Sequence, residues 1–438
     1  MDWSLILLLM LGGLTLLLAT GLPVAFAFIA VNIAGAWFIL GGENGLIQMA
    51  RNATQSVSNF QLAPIPLFIL MGEILFQTRV AHRAIDAIER IVAPVPGRMS
   101  VVTVFGGTIF AALSGSTIAN TAMLGSTLLP NMLRRGYHPT LAMGPIMASG
   151  AIAMLIPPSA LAVLLGSLAG MSISKLLIAG IVPALMLAGL FTAMIVTACT
   201  IRPDLAPSDD QPEMSLSERW KPFVVYVVPL SAIFAIVIGS LFAGLATPTE
   251  SAALGCMAAI GAGFAYRAMR IEALAAAVME TVKLSVMILF IIAASQTFSQ
   301  ILSFSGATGG LIRMIQGFDL TALQVLAGMV AILLFLGCFI DQVSMLMVTI
   351  PVFVPLARAA GIDELQLGIL YLLTMEIGLL TPPFGLLLFV MRGVAPPDIS
   401  MTQIYRAIGP FLVIKLGVLA AIIFWPEIGN WLPGLIGR

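Results

Sequence analysis

Charged residues divide this 438-residue chain into long apolar stretches. Long stretches without any Asp, Glu, Lys or Arg include 3–42, 99–133, 136–174, 176–201, 222–249, 284–312 and 320–340, which are 21 to 40 residues long. A transmembrane helix needs about 20 consecutive apolar residues. The pattern therefore predicts an all-α polytopic membrane protein, with enough apolar sequence for roughly ten or more crossings of that length.

Composition supports the membrane assignment and excludes other classes of protein. Apolar residues make up 60% of the chain and charged residues 9%, whereas soluble domains carry about 25% charged residues. The 20 basic and 20 acidic residues balance, so the chain lacks the net positive charge typical of nucleic-acid binding. Asp2 precedes the first apolar stretch and no Lys or Arg appears before Arg51, unlike a cleaved signal peptide. We expect that stretch to be a membrane helix.

The polar segment 202–221 divides the chain into two parts of similar length. It contains five acidic residues and three prolines. We interpret it as an aqueous linker between repeat one, residues 1–201, and repeat two, residues 222–438.

The two halves also match in sequence. At an offset of 225 residues, the pair Pro157-Pro158 aligns with Pro382-Pro383, and Pro130 aligns with Pro355. Paired repeats in a membrane protein indicate a transporter whose site lies at the repeat interface. The alternative is an old duplication without a role in transport.

In each repeat, helix-breaking residues interrupt the apolar sequence at two places. In repeat one these are SGSTIAN, residues 114–120, and Pro157-Pro158-Ser159. Ser116 and Asn120 share a helix face, and the prolines release backbone carbonyls from helical hydrogen bonding. Non-helical backbone at membrane depth is tolerated only where it is buried in protein or lines a cavity. Hydroxyl, amide and carbonyl oxygens in such a place predict a site for a hard monovalent cation.

Repeat two has the same two breaks with a charge added. Asp341 is the only charged residue between 320 and 357, and it aligns with Ser116 at the 225-residue offset. A carboxylate in lipid costs about 2.5–3.5 kcal/mol on insertion scales, and a bound cation removes that cost. Gly378 and Thr381, at the TPP break, offer a carbonyl and a hydroxyl. The alternative is that Asp341 is a helix-end residue at the membrane interface.

Other charges within apolar sequence have different expected roles. Glu376 is either a site residue or faces a water-filled crevice. Lys283 and Lys415 are expected to extend from helix ends towards the interface. Glu250, in ATPTES, is expected to cap a helix.

Several motifs in order resemble the large membrane subunit of tripartite ATP-independent periplasmic (TRAP) transporters. They are SGSTIAN, LLPNMLRRGY, LIPPS, ATPTESAA, FID with IPVFVPLARAAGID, and IGLLTPPFG, followed by PFL with FWPEIGNWLP. The resemblance covers nearly the whole chain. It implies an elevator-type secondary transporter of the ion-transporter superfamily, with two inverted structural repeats and re-entrant hairpins, in the bacterial inner membrane.

The resemblance also implies an energy source and partners. Sodium ions are the implied coupling ions, and no other cofactor is expected. A small membrane subunit on a separate chain and a soluble periplasmic substrate-binding protein would accompany this chain in the lipid bilayer. The substrate would be an organic acid, that is, a small-molecule carboxylate.

Carried over residue by residue, the resemblance implies two sodium sites. One falls on Ser116, Asn120 and carbonyls near Pro157, and the other on Asp341, Gly378 and Thr381. Ala153 stands where repeat two has Gly378, so a carbonyl ligand there requires an unwound helix. The expected substrate region comprises Ser114, Pro158, Ser159, Pro382, Pro383 and Arg313. Arg313 is the candidate guanidinium for the carboxylate, with an interface anchor as its alternative.

Two other function classes have less support. A zinc enzyme needs an HExxH pair and an ATP-driven pump needs a Walker lysine loop, and the sequence has neither. We therefore expect a transporter and not an enzyme. An ion or solute channel is the remaining alternative, although paired broken helices within one chain favour alternating access.

Overall fold

The computed structural model describes residues 2–78, 80–92, 95–114, 116–207 and 215–435, and within these ranges the regular secondary structure is helical. Before the polar linker the described chain forms α1 Trp3–Ala19, α2 Val24–Ile39, α3 Glu43–Val57, α4 Pro64–Gln77, α5 Val80–Ile91, α6 Arg98–Ser114, α7 Thr117–Arg134, α8 Pro139–Ala151, α9 Ala160–Ala169, α10 Ile173–Ala179 and α11 Ile181–Ile201. The all-α class predicted from the charge-free stretches is confirmed for the described residues.

After the linker the helices follow in a similar order. They are α12 Leu216–Pro222, α13 Val228–Phe242, α14 Pro248–Ala265, α15 Ile271–Phe304, α16 Ala307–Gln316, α17 Ala322–Gly337, α18 Gln342–Ala359, α19 Glu364–Leu380, α20 Leu386–Val394, α21 Met401–Phe424 and α22 Glu427–Asn430.

Helix boundaries follow the offset seen in the sequence. Helices α7 and α18 are both 18 residues long, and they begin directly after the aligned positions Ser116 and Asp341. Helices α8 and α19 begin at Pro139 and Glu364, which are also 225 residues apart. The two halves therefore share local structure, and the inverted relation between them stays a prediction.

Two groups of helices surround the breaks. Helix α15, 34 residues long, packs against α2, α3 and α4, and α4 also packs against α14. In this group the buried Asn32 amide donates to the Ala294 carbonyl over 2.6 Å. The break-bearing helices form the second group, in which α8 packs against α6, α7 and α21, and α19 packs against α17 and α21.

Six helical segments of the described chain are long and apolar enough to cross a membrane, and shorter apolar helices of 10–17 residues accompany them. The six are Phe60–Gln77, Ile173–Ile201, Leu216–Phe242, Ile271–Phe304, Gln342–Ala359 and Met401–Phe424. The expectation of apolar sequence for roughly ten or more crossings stays a prediction, because breaks divide the uncharged stretches into helices shorter than these six. Stretch 136–174, for example, holds α8 with 13 residues and α9 with 10.

The end of the predicted linker is helical. Ser215 and Glu218 form a capping box at the start of α12, and the helix continues through the π-helical turn Phe223–Val227 into α13. A capping box satisfies amides at a helix start, which explains why polar residues begin this helix. Residues 208–214 of the linker lie outside the described residues.

Candidate cation and substrate site

The first break of repeat one lies between α6 and α7. Ser116 is the N-cap of α7, and its hydroxyl accepts a hydrogen bond from the Ala119 amide at 3.3 Å. Serine is among the residues that best satisfy the free amides of a helix start. The side chain of Ser114 lies outside the described part of the structure.

Asn120, one turn into α7, is fully buried and only partly satisfied. Its amide nitrogen donates to the Gly107 carbonyl at 3.1 Å, while its Oδ1 has no hydrogen-bond partner. The hydroxyl oxygen of the neighbouring Thr121 is also buried without a partner. An unsatisfied buried polar group costs about 1–3 kcal/mol, so a cation bound by these oxygens would remove a penalty already present in the fold. Thr121 was not predicted, although it directly follows the SGSTIAN motif.

Glycines let the helices around this break approach closely. A Cβ at Gly107 of α6 would lie 2.3 Å from Ser149 Oγ, and a Cβ at Gly150 of α8 would lie 2.2 Å from Thr121 Oγ1. The end of α8 therefore contacts the start of α7. The two breaks of repeat one meet there, as the cation site requires.

The second break of repeat one begins with an unwound turn. Helix α8 ends at Ala151 and continues as a 3₁₀ turn, Ile152–Met154, that packs against α6 and α7. Ala153 thus lies in the non-α-helical backbone that a carbonyl ligand there requires. Pro157 and Pro158 are buried and joined by a cis peptide bond. Ser159 follows as the N-cap of α9 and accepts from the Ala162 amide at 3.2 Å.

Asp341 occupies the same structural position in repeat two. It is the N-cap of α18, where it accepts hydrogen bonds from the Ser344 amide at 3.0 Å and from the Ser344 hydroxyl. Its side chain is exposed on the surface of the chain, because Asp341 lies where α17 has ended and α18 begins. The helix-end position that the alternative required is present, and the cation role stays a prediction.

The TPP break follows directly on α19. Gly378 lies in the last turn of this helix, and its carbonyl accepts from the Thr381 amide at 3.2 Å. The Thr381 hydroxyl donates to the Ile377 carbonyl at 2.7 Å. The oxygens expected to bind a cation are therefore engaged in local hydrogen bonds of their own helix end.

Close backbone contact joins the two breaks of repeat two. A Cβ at Gly378 would lie 2.7 Å from the Gly337 Cα at the end of α17. The rings of Phe339 and Phe384, one from each break, have centroids 5.9 Å apart. The structure therefore brings the Asp341 break and the TPP break together.

The remaining residues of the predicted substrate region are more exposed. Pro382 is half-buried and Pro383 is exposed, they share a cis peptide bond, and the Pro383 carbonyl accepts from the Tyr405 hydroxyl at 3.1 Å. Arg313 is exposed in the last turn of α16, which packs against α1, α15 and α18. Its role towards the substrate stays a prediction.

The structure corrects the expectation for Lys415. Lys415 does not extend to the interface: its Nζ lies 2.5 Å from Glu376 Oε2, and both side chains have 0% exposure. It sits well inside α21, where an acidic partner offsets the cost of burying an ammonium group. Glu376 and Lys415 are an acid and a base that each stand alone in a long uncharged stretch, and this pattern in the sequence could have indicated a buried pair. Glu376 accordingly faces Lys415 rather than a water-filled crevice.

Two further expectations about charges can be compared with the structure. Lys283 is exposed and pairs with Glu280 at 2.6 Å, within α15 rather than at its end. Glu250 forms a capping box with Thr247 at the start of α14, so its predicted capping role is confirmed.

Known proteins match this chain over nearly its whole length. The sequence model of the family described as "Tripartite ATP-independent periplasmic transporter, DctM component" matches residues 11–428. The C4-dicarboxylate TRAP transporter large permease protein DctM of Pseudomonas aeruginosa is 32% identical over 410 residues, covering 93% of this chain and 94% of that protein. The sialic acid TRAP transporter large permease protein SiaM of Vibrio cholerae is 30% identical over 428 residues, 96% of each chain. The 2,3-diketo-L-gulonate TRAP transporter large permease protein YiaN of Escherichia coli is 30% identical over 422 residues, also 96% of each.

Two solved transporters share the fold at low sequence identity. The YdaH transporter of Alcanivorax borkumensis superimposes with a TM-score of 0.66 at 14% identity, covering 90% of this chain and 91% of its own. MtrF of Neisseria gonorrhoeae, from a class of antimetabolite efflux pumps, gives a TM-score of 0.59 at 14% identity, with 87% and 85% covered. These two likenesses concern the fold alone.

Proposed function

Because this chain belongs to the family of tripartite ATP-independent periplasmic transporters, as their DctM component, we propose that it couples the import of an organic acid to sodium. It is a large membrane subunit of a secondary transporter and a multi-pass protein of the bacterial inner membrane. The relatives are named for C4-dicarboxylates, sialic acid and 2,3-diketo-L-gulonate, which are organic acids. A carboxylate is therefore the substrate class we propose.

The observation that carries the sodium proposal is the buried, unpartnered Oδ1 of Asn120. Asn120 lies one turn from the Ser116 cap, and the next residue, Thr121, places its own unpartnered hydroxyl against Gly150 near the end of α8. A hard monovalent cation bound there would satisfy oxygens that the protein leaves without hydrogen bonds. Carbonyls of the unwound backbone near Pro157 would complete its shell, because such carbonyls and half-helix ends coordinate sodium in transporters built on this principle.

The second sodium ion is proposed to bind beside Asp341, Gly378 and Thr381. The Asp341 carboxylate has about four lone-pair positions, so it can keep the Ser344 bonds and still bind a cation. Gly378 and Thr381 can contribute a carbonyl and a hydroxyl oxygen, since each oxygen also has a second lone pair. Binding here would neutralise the only charged residue between residues 320 and 357.

Helix starts at the breaks are proposed to attract the carboxylate. Helices α9 and α20 begin shortly after Pro157-Pro158 and Pro382-Pro383, and α9 is capped by Ser159. The positive end of a helix dipole stabilises an anion, and transporters place such half-helix ends towards substrate carboxylates. Arg313 is the additional candidate cation.

Alternating access of an elevator type is the proposed mechanism, with the break-bearing helices moving against the group around α15. A separate small membrane subunit would share the membrane, and a periplasmic binding protein would deliver the substrate. A ligand shifts a conformational equilibrium only if it binds one of the two conformations more tightly. We propose that sodium ions at the two sites bind the substrate-loaded conformation of the carrier more tightly and so favour it.

Reconstitution tests this function. The chain, its small subunit and its binding protein are placed in proteoliposomes, with an organic acid identified by a thermal-shift screen of the binding protein. We expect saturable uptake that requires an inward sodium gradient. Equal uptake in sodium-free buffer at the same membrane potential would refute the coupling, and non-saturating flux would favour the channel alternative.

A further inference from the structure

A buried ion pair lies next to the proposed cation-binding backbone of both repeats. Glu376 is two residues before Gly378 on α19, and its carboxylate binds the ammonium of Lys415 on α21. The other carboxylate oxygen, Glu376 Oε1, is buried without a hydrogen-bond partner. Helix α19 packs against α8 and against the unwound turn Ile152–Met154 that follows it. The ion pair thus joins the TPP helix to α21, and both helices pack on the backbone that leads into the Pro157-Pro158 break.

Helix α21 links the same two regions through its own packing. A Cβ at Gly144 of α8 would lie 2.7 Å from the Ala407 carbonyl and 2.4 Å from the Phe411 ring, so α8 and α21 are in close contact. On the other side, the Gln366 amide of α19 donates to the Ile422 carbonyl of α21 at 3.0 Å. Both helices that lead into a Pro-Pro break therefore pack directly on α21.

The surroundings of Lys415 hold its ammonium in place. Its Nζ lies 5.9 Å from the centroid of the Phe191 ring on α11, and Phe191 packs edge-on against Phe411 with centroids 5.2 Å apart. A cation over an aromatic face gains electrostatic stabilisation when it is desolvated. Lys415 is therefore fixed by Glu376 and by an aromatic pair that includes a residue of its own helix.

We propose that Glu376 and Lys415 are positioning residues that couple the two sodium sites, so that sodium binding at one break favours binding at the other. The inference rests on the proposed sodium coupling. A buried, desolvated ion pair tolerates little change in its geometry, since either charge left alone would be strongly unfavourable. A shift of α19 on ion binding at Gly378 is therefore passed to α21 through the ion pair and to the unwound turn Ile152–Met154 through direct packing, and from both to the repeat-one break. Such coupling is reciprocal in free energy.

Equilibrium binding of radioactive sodium to the purified chain in detergent tests the coupling, with potassium keeping the ionic strength constant. We expect a Hill coefficient well above 1 for the wild-type chain, falling to about 1 in the Glu376→Gln/Lys415→Met double variant. Removing both charges together avoids leaving one of them unpaired in the interior. Sodium affinity should also fall about three- to tenfold, because each ion then binds without help from the other.

A matched control is the exposed pair Glu280 and Lys283 on α15. The Glu280→Gln/Lys283→Met variant makes the same chemical change and should keep the wild-type Hill coefficient. If the buried double variant does not fold, Glu376→Asp replaces it, because that variant keeps the charge but shortens the side chain. It should lower the Hill coefficient, and Lys415→Arg, which keeps charge and reach, should retain more cooperativity than Glu376→Asp.

The outcomes separate this inference from the function on which it rests. A wild-type chain that binds no sodium would overturn both. Sodium binding with a Hill coefficient of 1 in the wild type, or an undiminished coefficient in the buried-pair variants, would overturn the coupling role alone. A purely structural pair would change the melting temperature of these variants and leave their cooperativity intact.

Discussion

The two repeats carry their proposed cation sites on the same helix framework but with different chemistry. In repeat one the side-chain oxygens are neutral: Asn120 is buried with its Oδ1 unpartnered, and Ser116 is half-buried and caps α7. In repeat two the N-cap is the charged and exposed Asp341, whose carboxylate binds Ser344, while the Thr381 hydroxyl binds Ile377. A cation at the first site would bind Asn120 Oδ1 without replacing a hydrogen bond of that atom, whereas a cation at the second site must share or replace the present hydrogen bonds.

The Pro-Pro break of repeat one is also more buried than that of repeat two. Pro157 and Pro158 are buried behind an unwound turn, while Pro382 is half-buried, Pro383 is exposed, and α19 stays helical to Leu380. A buried, preformed site needs little reorganisation to bind an ion. An exposed site that depends on one charge is more accessible and relies more on electrostatics. We infer that substitutions at Asp341 affect transport most, and that substitutions at Asn120 act mainly on sodium affinity.

The largest effect is expected for Asp341→Asn. Uptake should fall about 100-fold or more, that is by about 2.7 kcal/mol, since Asn removes the charge that neutralises the bound cation. The melting temperature without sodium should change little, because Asn is as good an N-cap as Asp. Uptake into proteoliposomes and thermal melts measure the two quantities.

The control for this variant is Asp363→Asn. Asp363 is the N-cap of α19 and accepts from the Gln366 amide at 2.7 Å, away from both breaks. That variant should keep wild-type uptake. Full uptake in Asp341→Asn would show that transport does not need the Asp341 charge, and Asp341 would then have only its capping role.

Gly378→Ala should give the next largest effect. Its Cβ would come within 2.7–2.9 Å of Gly337 backbone atoms, so α17 and α19 must separate. Overpacking of this kind costs about 1–3 kcal/mol of folding free energy, and the half-saturating sodium concentration should rise about tenfold. Gly409→Ala on α21 is the control, since no atom lies within 4 Å of its Cβ position. Equal behaviour of the two variants in melts and sodium titrations would contradict close packing at the TPP break.

A smaller effect is expected for Asn120→Ala. It removes one neutral oxygen ligand, so the half-saturating sodium concentration should rise several-fold, up to about tenfold or 1.4 kcal/mol. Stability without sodium should change little, because the lost bond to Gly107 is offset by loss of the unsatisfied oxygen. Asn131→Ala, on the same helix but bonded to the Thr127 carbonyl, is the control. Sodium dependence of uptake that is the same in both variants would make the SGSTIAN break structural.

Sequence reasoning succeeded where the signal was local. Charge-free stretches predicted a helical membrane protein, and Ser116 and Asp341 proved to be equivalent N-caps because their polar side chains satisfy helix amides within three residues. The family resemblance is confirmed by the match over residues 11–428.

Sequence reasoning failed where the two residues in contact are far apart along the chain. Lys415 and Glu376 are 39 residues apart, and only the packing of α19 on α21 makes them a buried pair. Hydropathy alone does not reveal that α8 ends at Ala151 and continues as a 3₁₀ turn. The unsatisfied Thr121 hydroxyl depends on the close approach of Gly150, which no local pattern shows.

The central claim is that one sodium ion binds at the proposed site of each repeat. Its most direct test is the sodium-dependent melting temperature of the Asn120→Ala/Asp341→Asn double variant. Each site saturated at 100 times its dissociation constant should add about 2.7 kcal/mol of stability. We predict that sodium clearly raises the melting temperature of the wild type and raises that of each single variant less. For the double variant, sodium should raise the melting temperature no more than the same concentration of potassium does. A double variant that sodium stabilises as much as the wild type would show that sodium binds elsewhere.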